Sequence, residues 1–214
     1  ARKGVRIYEH TEMNGQHYDK EKDKMIISTK NGYSIQARHV IFAAGYEGIE
    51  IKQEKKASFV STFTVTTNQV DDLSDWYNRT LIWETARPYI YMRTTNDNRI
   101  IIGGLDDNTN YPEDRDSKLV NKRNLLIEEL NKRFPTINAQ AEYYLTAFYG
   151  GIVDGIPIIG QYGDFPSCYF LFAFGDNGTV YSQLLSKIIA TDIIEGNSPD
   201  IDLYLQDRPL LNNK

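Results

Sequence analysis

Apolar and polar positions change rhythm several times along the chain. Val5 to Tyr8 alternates and predicts a short strand. "MIIST" and "YSIQA" flank Lys30-Asn31-Gly32, and Asn-Gly between two such runs predicts a β-hairpin, because its tight turn needs positive φ angles. "HVIFAAG" is almost wholly apolar and predicts a strand buried on both faces, as in the parallel sheet of an α/β domain. It ends in Ala43, Ala44 and Gly45, whose small side chains let another group approach the backbone. From about Ile51 the texture shifts to β-branched and aromatic residues. "EKKASFVSTFTVTT", "ARPYIYMRTT" and "RIIIGGL" read as strands of a different sheet, with "TNDN" as a turn.

"DDNTNYPEDRD" reads as a polar loop. Asp116 or Ser117 is the expected cap of a helix through about Arg133, with Leu119, Leu126, Leu130 and Phe134 facing inward and Pro135 ending it. "AEYYLTAFYGG" is strand-like, "GGIVDGIPIIG" is glycine-rich, and "SCYFLFAFG" predicts a buried strand. Thr179 to Glu195 predicts a second helix with Val180, Leu184, Ile188 and Ile193/Ile194 as its apolar stripe and Gly196 at its C-terminal cap. The tail to Lys214 reads as loop, and the chain reads as free of repeats. The order is buried strand, antiparallel block, buried strand and helix. It predicts an α+β chain with a block of about 51–145 inserted between segments 1–50 and 146–214.

Composition narrows the function classes. The net charge of −5 supplies no basic footprint for nucleic acid or an anionic membrane. No apolar run is long enough for a membrane span and no secretion signal opens the sequence, so a cytoplasmic location is expected. Cys168 is the single cysteine and lies in "CYFLFAF", where a packed, inert thiol is expected. His10, His17 and His39 lack metal-ligand spacing. Counted from Asp106, a calcium loop would need glycine where Tyr111 stands and glutamate where Ser117 stands, so no metal is expected.

The chemistry-bearing stretch is Phe172 to Gly196. A buried strand, Gly175-Asp176-Asn177-Gly178 and a helix opening at Thr179 expose unpaired amides at the positive end of a helix dipole. Phosphate is the usual ligand there, yet neither G-x-x-x-x-G-K-[ST] nor G-x-G-x-x-G occurs. A flavin's pyrimidine edge, which gains negative charge on reduction, suits the same amides. Taken alone, the segment reads first as an ordinary strand–turn–helix whose glycines serve packing.

Four motifs in order carry a resemblance: "FAAG" (Phe42 to Gly45), the inserted block, "GGIVDGIPIIG" (Gly150 to Gly160) and "GDNG" (Gly175 to Gly178). The chain resembles the FAD-dependent amine and amino-acid oxidoreductases related to D-amino acid oxidase, glycine oxidase and sarcosine oxidase. The opening "GVRIYEHT", with Thr11, also looks like the segment before that family's A-x-G strand. The resemblance implies part of an α/β FAD-binding domain in 1–50 and 146–214, and a substrate domain of mainly antiparallel sheet with helices packed on it in 51–145. It implies FAD contacts at Thr11, Ala43, Ala44, Gly45, Gly151, Asp154, Gly155, Pro157, Gly175, Asp176, Asn177, Gly178 and Thr179. Asp176 and Asn177 stand where the family commonly has G-H-G, so the polar partner at the flavin edge differs. The family's G-x-G-x-x-G unit is missing from this sequence, so the chain reads as the C-terminal part of such an enzyme. Alone, it is expected to bind FAD weakly or not at all and to be inactive.

For the whole enzyme the resemblance implies hydride transfer from the Cα of an amine or amino acid to flavin N5, with the protein orienting the substrate and excluding water, and no residue is assigned as catalytic. In "ARPYIYMR" an extended backbone would set Arg87, Tyr89, Tyr91 and Arg93 on one face, able to grip a carboxylate, in preference to Arg79 or Arg99. Such a face also reads as the solvated side of a sheet. Tyr149, beside Gly150, is a further substrate candidate. Two other functions fit the sequence: a non-catalytic α+β binding module on the same scaffold, and a FAD-dependent hydroxy-acid or glycerol-phosphate dehydrogenase.

Overall fold

The computed structural model of the chain describes residues 3–109, 111–172 and 174–212. Ala173, within the expected "SCYFLFAFG" strand, and the side chain of Asp176 lie outside the described residues. The elements run β1 (Met13–Asp19), β2 (Lys24–Thr29), β3 (Ser34–Ala37), β4 (Val40–Phe42), a 3-10 turn at Gly45–Glu47, α1 (Gly48–Ile51), β5 (Ala57–Thr67), a 3-10 turn at Tyr77–Arg79 and β6 (Ile82–Trp83). Then come β7 (Ile90–Thr94), β8 (Ile100–Asp107), α2 (Pro112–Arg133), β9 (Ala141–Ile152), β10 (Ile158–Gly160) and β11 (Cys168–Phe172). A 3-10 turn at Gly175–Asn177, α3 (Gly178–Glu195), another 3-10 turn at Ile201–Leu203 and α4 (Pro209–Asn212) complete the order. The fold is α+β. No helix among the described residues is long and apolar enough to cross a membrane.

The chain divides into two compact units. One comprises Ala1–Ala57 and Ile152–Lys214, the other Ser58–Gly151. In the first unit β1, β2 and β3 form an antiparallel meander, and the β2–β3 turn is the hairpin predicted from Asn31-Gly32. A second sheet has the order β10-β11-β4, with β11 antiparallel to β10 and parallel to β4. All of β11 is buried, as its apolar run predicts. Period-two alternation sends Cys168, Phe170 and Phe172 to one core and Tyr169 and Leu171 to the other. On the first face Phe170 stacks on Phe42 with ring centroids 4.3 Å apart. On the second, Tyr169 and Leu171 pack against Leu185, Ile188 and Ile189 of α3.

In the second unit the strand order is β6-β7-β8-β5-β9, and the β6–β7, β7–β8 and β5–β8 pairs are antiparallel. One face carries the core: Phe63, Val65, Ile90, Met92, Ile100 and Ile102 pack with Leu126 and Leu130 of α2. Each such side chain, fully buried, contributes about 1.5–3 kcal/mol. Leu119 and Phe134 join this cluster, Phe134 by stacking on Trp76 at 4.5 Å.

Several local expectations fail for identifiable reasons. Val5 to Tyr8 is irregular and exposed, because among the described residues no strand pairs with it. The strand on the other edge of β2 from β3 is the polar β1. β4 is not buried on both faces: it is the edge of its sheet, and Ile41 is 48% exposed. α2 begins at Pro112, not at Asp116 or Ser117. Proline suits the first helical turn, where its missing N–H costs nothing, and Glu113 and Asp114 follow at the positive end of the dipole. β8 runs through Asp107 and α2 starts at Pro112, so both ends of the expected long loop belong to regular elements.

The apolar stripe of α3 is rotated from its expected position. Leu185, Ile188 and Ile189 are buried, whereas Val180 and Ile194 are 66% and 80% exposed. Tyr169 fixes that rotation by donating its hydroxyl to Asp192 at 2.7 Å. Gly196 takes φ +75 and caps the helix as expected. The tail is structured as far as it is described, to Asn212: Ile159 bridges Leu205, and a 3-10 turn and α4 follow Ser198.

Candidate functional site

Within the first unit two neighbouring parallel strands, β4 and β11, leave their sheet through the same kind of turn. The sequence after each is F-A-x-G-x-x-G, as Phe42 to Gly48 and as Phe172 to Gly178. The backbones match where both are described. Gly45 has φ +60 and Gly175 has φ +58. Each opens a one-turn 3-10 segment, and Gly48 and Gly178 then start the helices α1 and α3 with φ of −56 and −53. The chain thus contains one short repeat. It is readable from the letters, but its seven residues lie far below the length of a repeat architecture.

The positive φ at Gly45 and Gly175 is a region L side chains rarely adopt. A Cβ at either glycine would meet nothing within 4 Å, so the backbone there faces open space. Asn177 caps α3 without a side-chain hydrogen bond, and the first turn of α3 holds no acidic residue. The start of this 18-residue helix therefore carries the positive end of its dipole with no acidic residue in its first turn. Such a surface accepts a flat, electron-rich edge that carries or gains negative charge. Thr179 is exposed at its start, and Ala43 and Ala44 are exposed before Gly45.

The "GGIVDGIPIIG" stretch has a different local logic. Both oxygens of Asp154 are taken by Arg208: Nε donates to Oδ2 and Nη2 to Oδ1, each at 2.9 Å. Arg208 is 4% exposed, and its remaining donors reach the carbonyls of Ile156, Pro157, Tyr204 and Leu205. Arg208 holds the Asp154 carboxyl below the usual carboxylate range. Asp154 and the Pro157 carbonyl are thus spent on anchoring the tail. Gly155, at φ +74, faces open space between them. Gly151 ends the second unit, its carbonyl accepting from Ser58 Oγ at 3.3 Å. Thr11 donates to the Glu9 carbonyl at 3.0 Å and lines a groove of about 500 Å³ with Arg6, Tyr8, Asn31 and Tyr33, none of them in the glycine turns. Arg208 left no signal in the sequence beyond being a lone arginine in a loop-like tail.

In the second unit four candidates come together on the sheet face opposite α2. The Arg87 guanidinium lies 4.5 Å from the Tyr89 ring centroid, and the Tyr89 and Tyr91 rings are 6.1 Å apart. The hydroxyls of Tyr89 and Tyr149 are 3.5 Å apart, and Tyr149 donates to Asp106 Oδ2 at 2.8 Å. Tyr91 shares a hydrogen bond with Thr64 at 3.1 Å. β7 is regular only from Ile90, so Arg87 reaches the group by stacking, not by strand alternation. Arg93 is exposed and lies outside these contacts. Arg99 is tied to Asp97 and Glu142, and Arg79 to Thr95 and Asn98. Asp106 is the member that sequence reasoning missed. Nothing in "GGLDDN" tells which of its two aspartates turns toward the tyrosines.

Comparison with known proteins agrees with this architecture. Residues 1–191 match the family described as DAO, FAD dependent oxidoreductase. The fold is similar to L-proline dehydrogenase from P.horikoshii, with 17% identity and a TM-score of 0.70 over 97% of this chain and 56% of that one. It is similar to glycine oxidase from Geobacillus kaustophilus, with 18% identity and a TM-score of 0.62 over 91% of this chain and 50% of that one. L-amino acid deaminase from Proteus vulgaris gives 14% identity and a TM-score of 0.70 over 97% of this chain and 59% of that one. The chain spans roughly half the length of these solved structures. No protein of curated function matches it in sequence.

Proposed function

The chain belongs to the DAO family of FAD-dependent oxidoreductases, and we propose that it carries the flavin-edge and substrate-gripping parts of an enzyme that oxidises an amine or amino acid. The observation that carries this reading is the pair of open glycine turns, Gly45 and Gly175, at the ends of adjacent parallel strands. The residues fit a flavin: planar approach is free at both glycines, and the positive end of the α3 dipole lies beside Gly175 with no acidic residue in the first turn of the helix.

Ala43, Ala44, Gly45, Gly175, Asn177, Gly178 and Thr179 would hold the ring, with Gly155 as an additional open position. FAD, when bound, supplies the acceptor for the hydride leaving the substrate carbon. The N-terminus of α3 would stabilise negative charge developing on the bound ring through its dipole. In the second unit Arg87, beside Tyr89, grips a substrate carboxylate, and Tyr91 and Tyr149 shape the apolar wall around it. These groups orient the substrate and exclude water.

Riboflavin tests the ring site, since it has no pyrophosphate. Weak, saturable quenching of its fluorescence by the chain, lost in a folded Gly175→Val variant, supports the reading. Quenching that is absent, or equal in both proteins, contradicts it.

A further inference from the structure

We propose that Asp106 is an ammonium-binding residue: its Oδ1 receives an N–H of a protonated amine beside the tyrosine hydroxyls. The proposal rests on the substrate reading above for its meaning in turnover, and names the charged group that substrate must present.

The β5–β8 pairing contains a register slip. Ser61 pairs with Asp107 and Phe63 with Gly104, so Thr62 alone stands opposite Leu105 and Asp106. This is a β-bulge, a device that re-aims a side chain. Gly104 has φ +126 and Leu105 has φ +53, the latter a conformation that side chains rarely adopt. Along β8, Ile100 and Ile102 point into the α2 core. The extra residue lets Leu105 pack on that core too, so Asp106 turns to the opposite face and Asp107 returns to the α2 side. Without the bulge, strand alternation would carry Asp106 into the apolar core.

The two consecutive aspartates then have unlike surroundings. Asp107 is matched by Lys122 at 2.8 Å and Lys118 at 3.1 Å. Asp106 accepts one hydrogen bond, from Tyr149 to Oδ2, while its Oδ1 is buried with no partner among the described residues. A buried carboxylate oxygen without a donor is costly, and a charged donor repays it best. Its neighbours are aromatic: Tyr149, then Tyr89, whose ring already attracts the Arg87 cation. One carboxylate oxygen among tyrosines suits an alkylammonium group, which combines N–H donors with an apolar stem. A lone carboxylate is too few ligands for a metal ion.

The probe is n-butylammonium chloride, titrated into the isotopically labelled chain without flavin and followed by amide NMR, against n-butanol and sodium butyrate at matched ionic strength. The expected result is saturable shifts at Gly104–Asp107 and Tyr149 with the ammonium alone. Asp106→Asn should weaken binding about tenfold or more, and Asp107→Asn should leave it unchanged. Equal shifts with butanol, no response to the ammonium, or undiminished binding by a folded Asp106→Asn chain would overturn the proposal. Selectivity of the unaltered chain decides the matter even if Asp106→Asn does not fold. Because flavin is absent, the outcome is independent of the ring-site reading.

Discussion

Arg208 and Asp154 form a two-bonded fork, Nε to Oδ2 and Nη2 to Oδ1 both at 2.9 Å, that ties the C-terminal segment to the turn around Gly155. The pair is 54 residues apart in sequence and almost fully buried on the arginine side. Removing one partner leaves a desolvated charge behind. Arg208→Ala should therefore lower stability by about 3–5 kcal/mol in urea denaturation at neutral pH. Arg208→Lys should recover only part of that loss, because an ammonium cannot form the fork.

The same pair makes a pH prediction. Arg208 depresses the folded-state pKa of Asp154, so the folded protein holds the ionised form more strongly than the unfolded chain does. The stabilisation is present above the ordinary aspartate value of about 4 and disappears as pH falls through the lower folded value. The stability gap between the unaltered chain and Asp154→Asn should be constant near neutrality and shrink in acid. A gap that persists unchanged in acid would contradict the pairing.

Cys168 is 2% exposed in β11, and burial pushes its thiol up from 9.0 to about 11. At neutral pH the native chain should react with a thiol reagent only as fast as it unfolds locally. Its contribution to stability is complete below pH 9 and falls between 9 and 11, where the unfolded thiol ionises and the folded one does not. Denaturation midpoints of the native chain and Cys168→Ala, compared across that range, read this out.

Gly103 lies beneath Tyr91, its cross-strand partner. A Cβ at Gly103 would approach Tyr91 Cε2 to 2.9 Å, too close for the ring to stay. Gly103→Val should cost about 1–3 kcal/mol and shift the Tyr91 ring resonances. In a Tyr91→Ala background the same change should cost measurably less, as a double-mutant cycle would show.

Local chemistry made some of the fold readable. The Asn31-Gly32 hairpin, the buried β11 and the Gly196 cap each follow from a few adjacent residues. The strand β1 was not readable, because "MNGQHYD" earns its place through a ladder to β2 and not through an apolar pattern. The rotation of α3 was missed because apolar residues surround much of the helix, and only the Tyr169–Asp192 bond and the sheet choose among its faces. At the candidate site, the glycine turns and the Arg87–Tyr89–Tyr149 group are visible as letters. Asp106 and Arg208 are not, since a strand bulge and a long-range salt bridge give each its role.

We propose that the open glycine turns after β4 and β11 meet the edge of a flavin ring. Amide NMR of the chain during riboflavin titration tests it most directly. Gly45, Gly175, Gly178 and Thr179 should shift together along one saturable curve. Shifts confined to other surfaces, such as the groove lined by Arg6 and Tyr33, or no shifts at all, would contradict it.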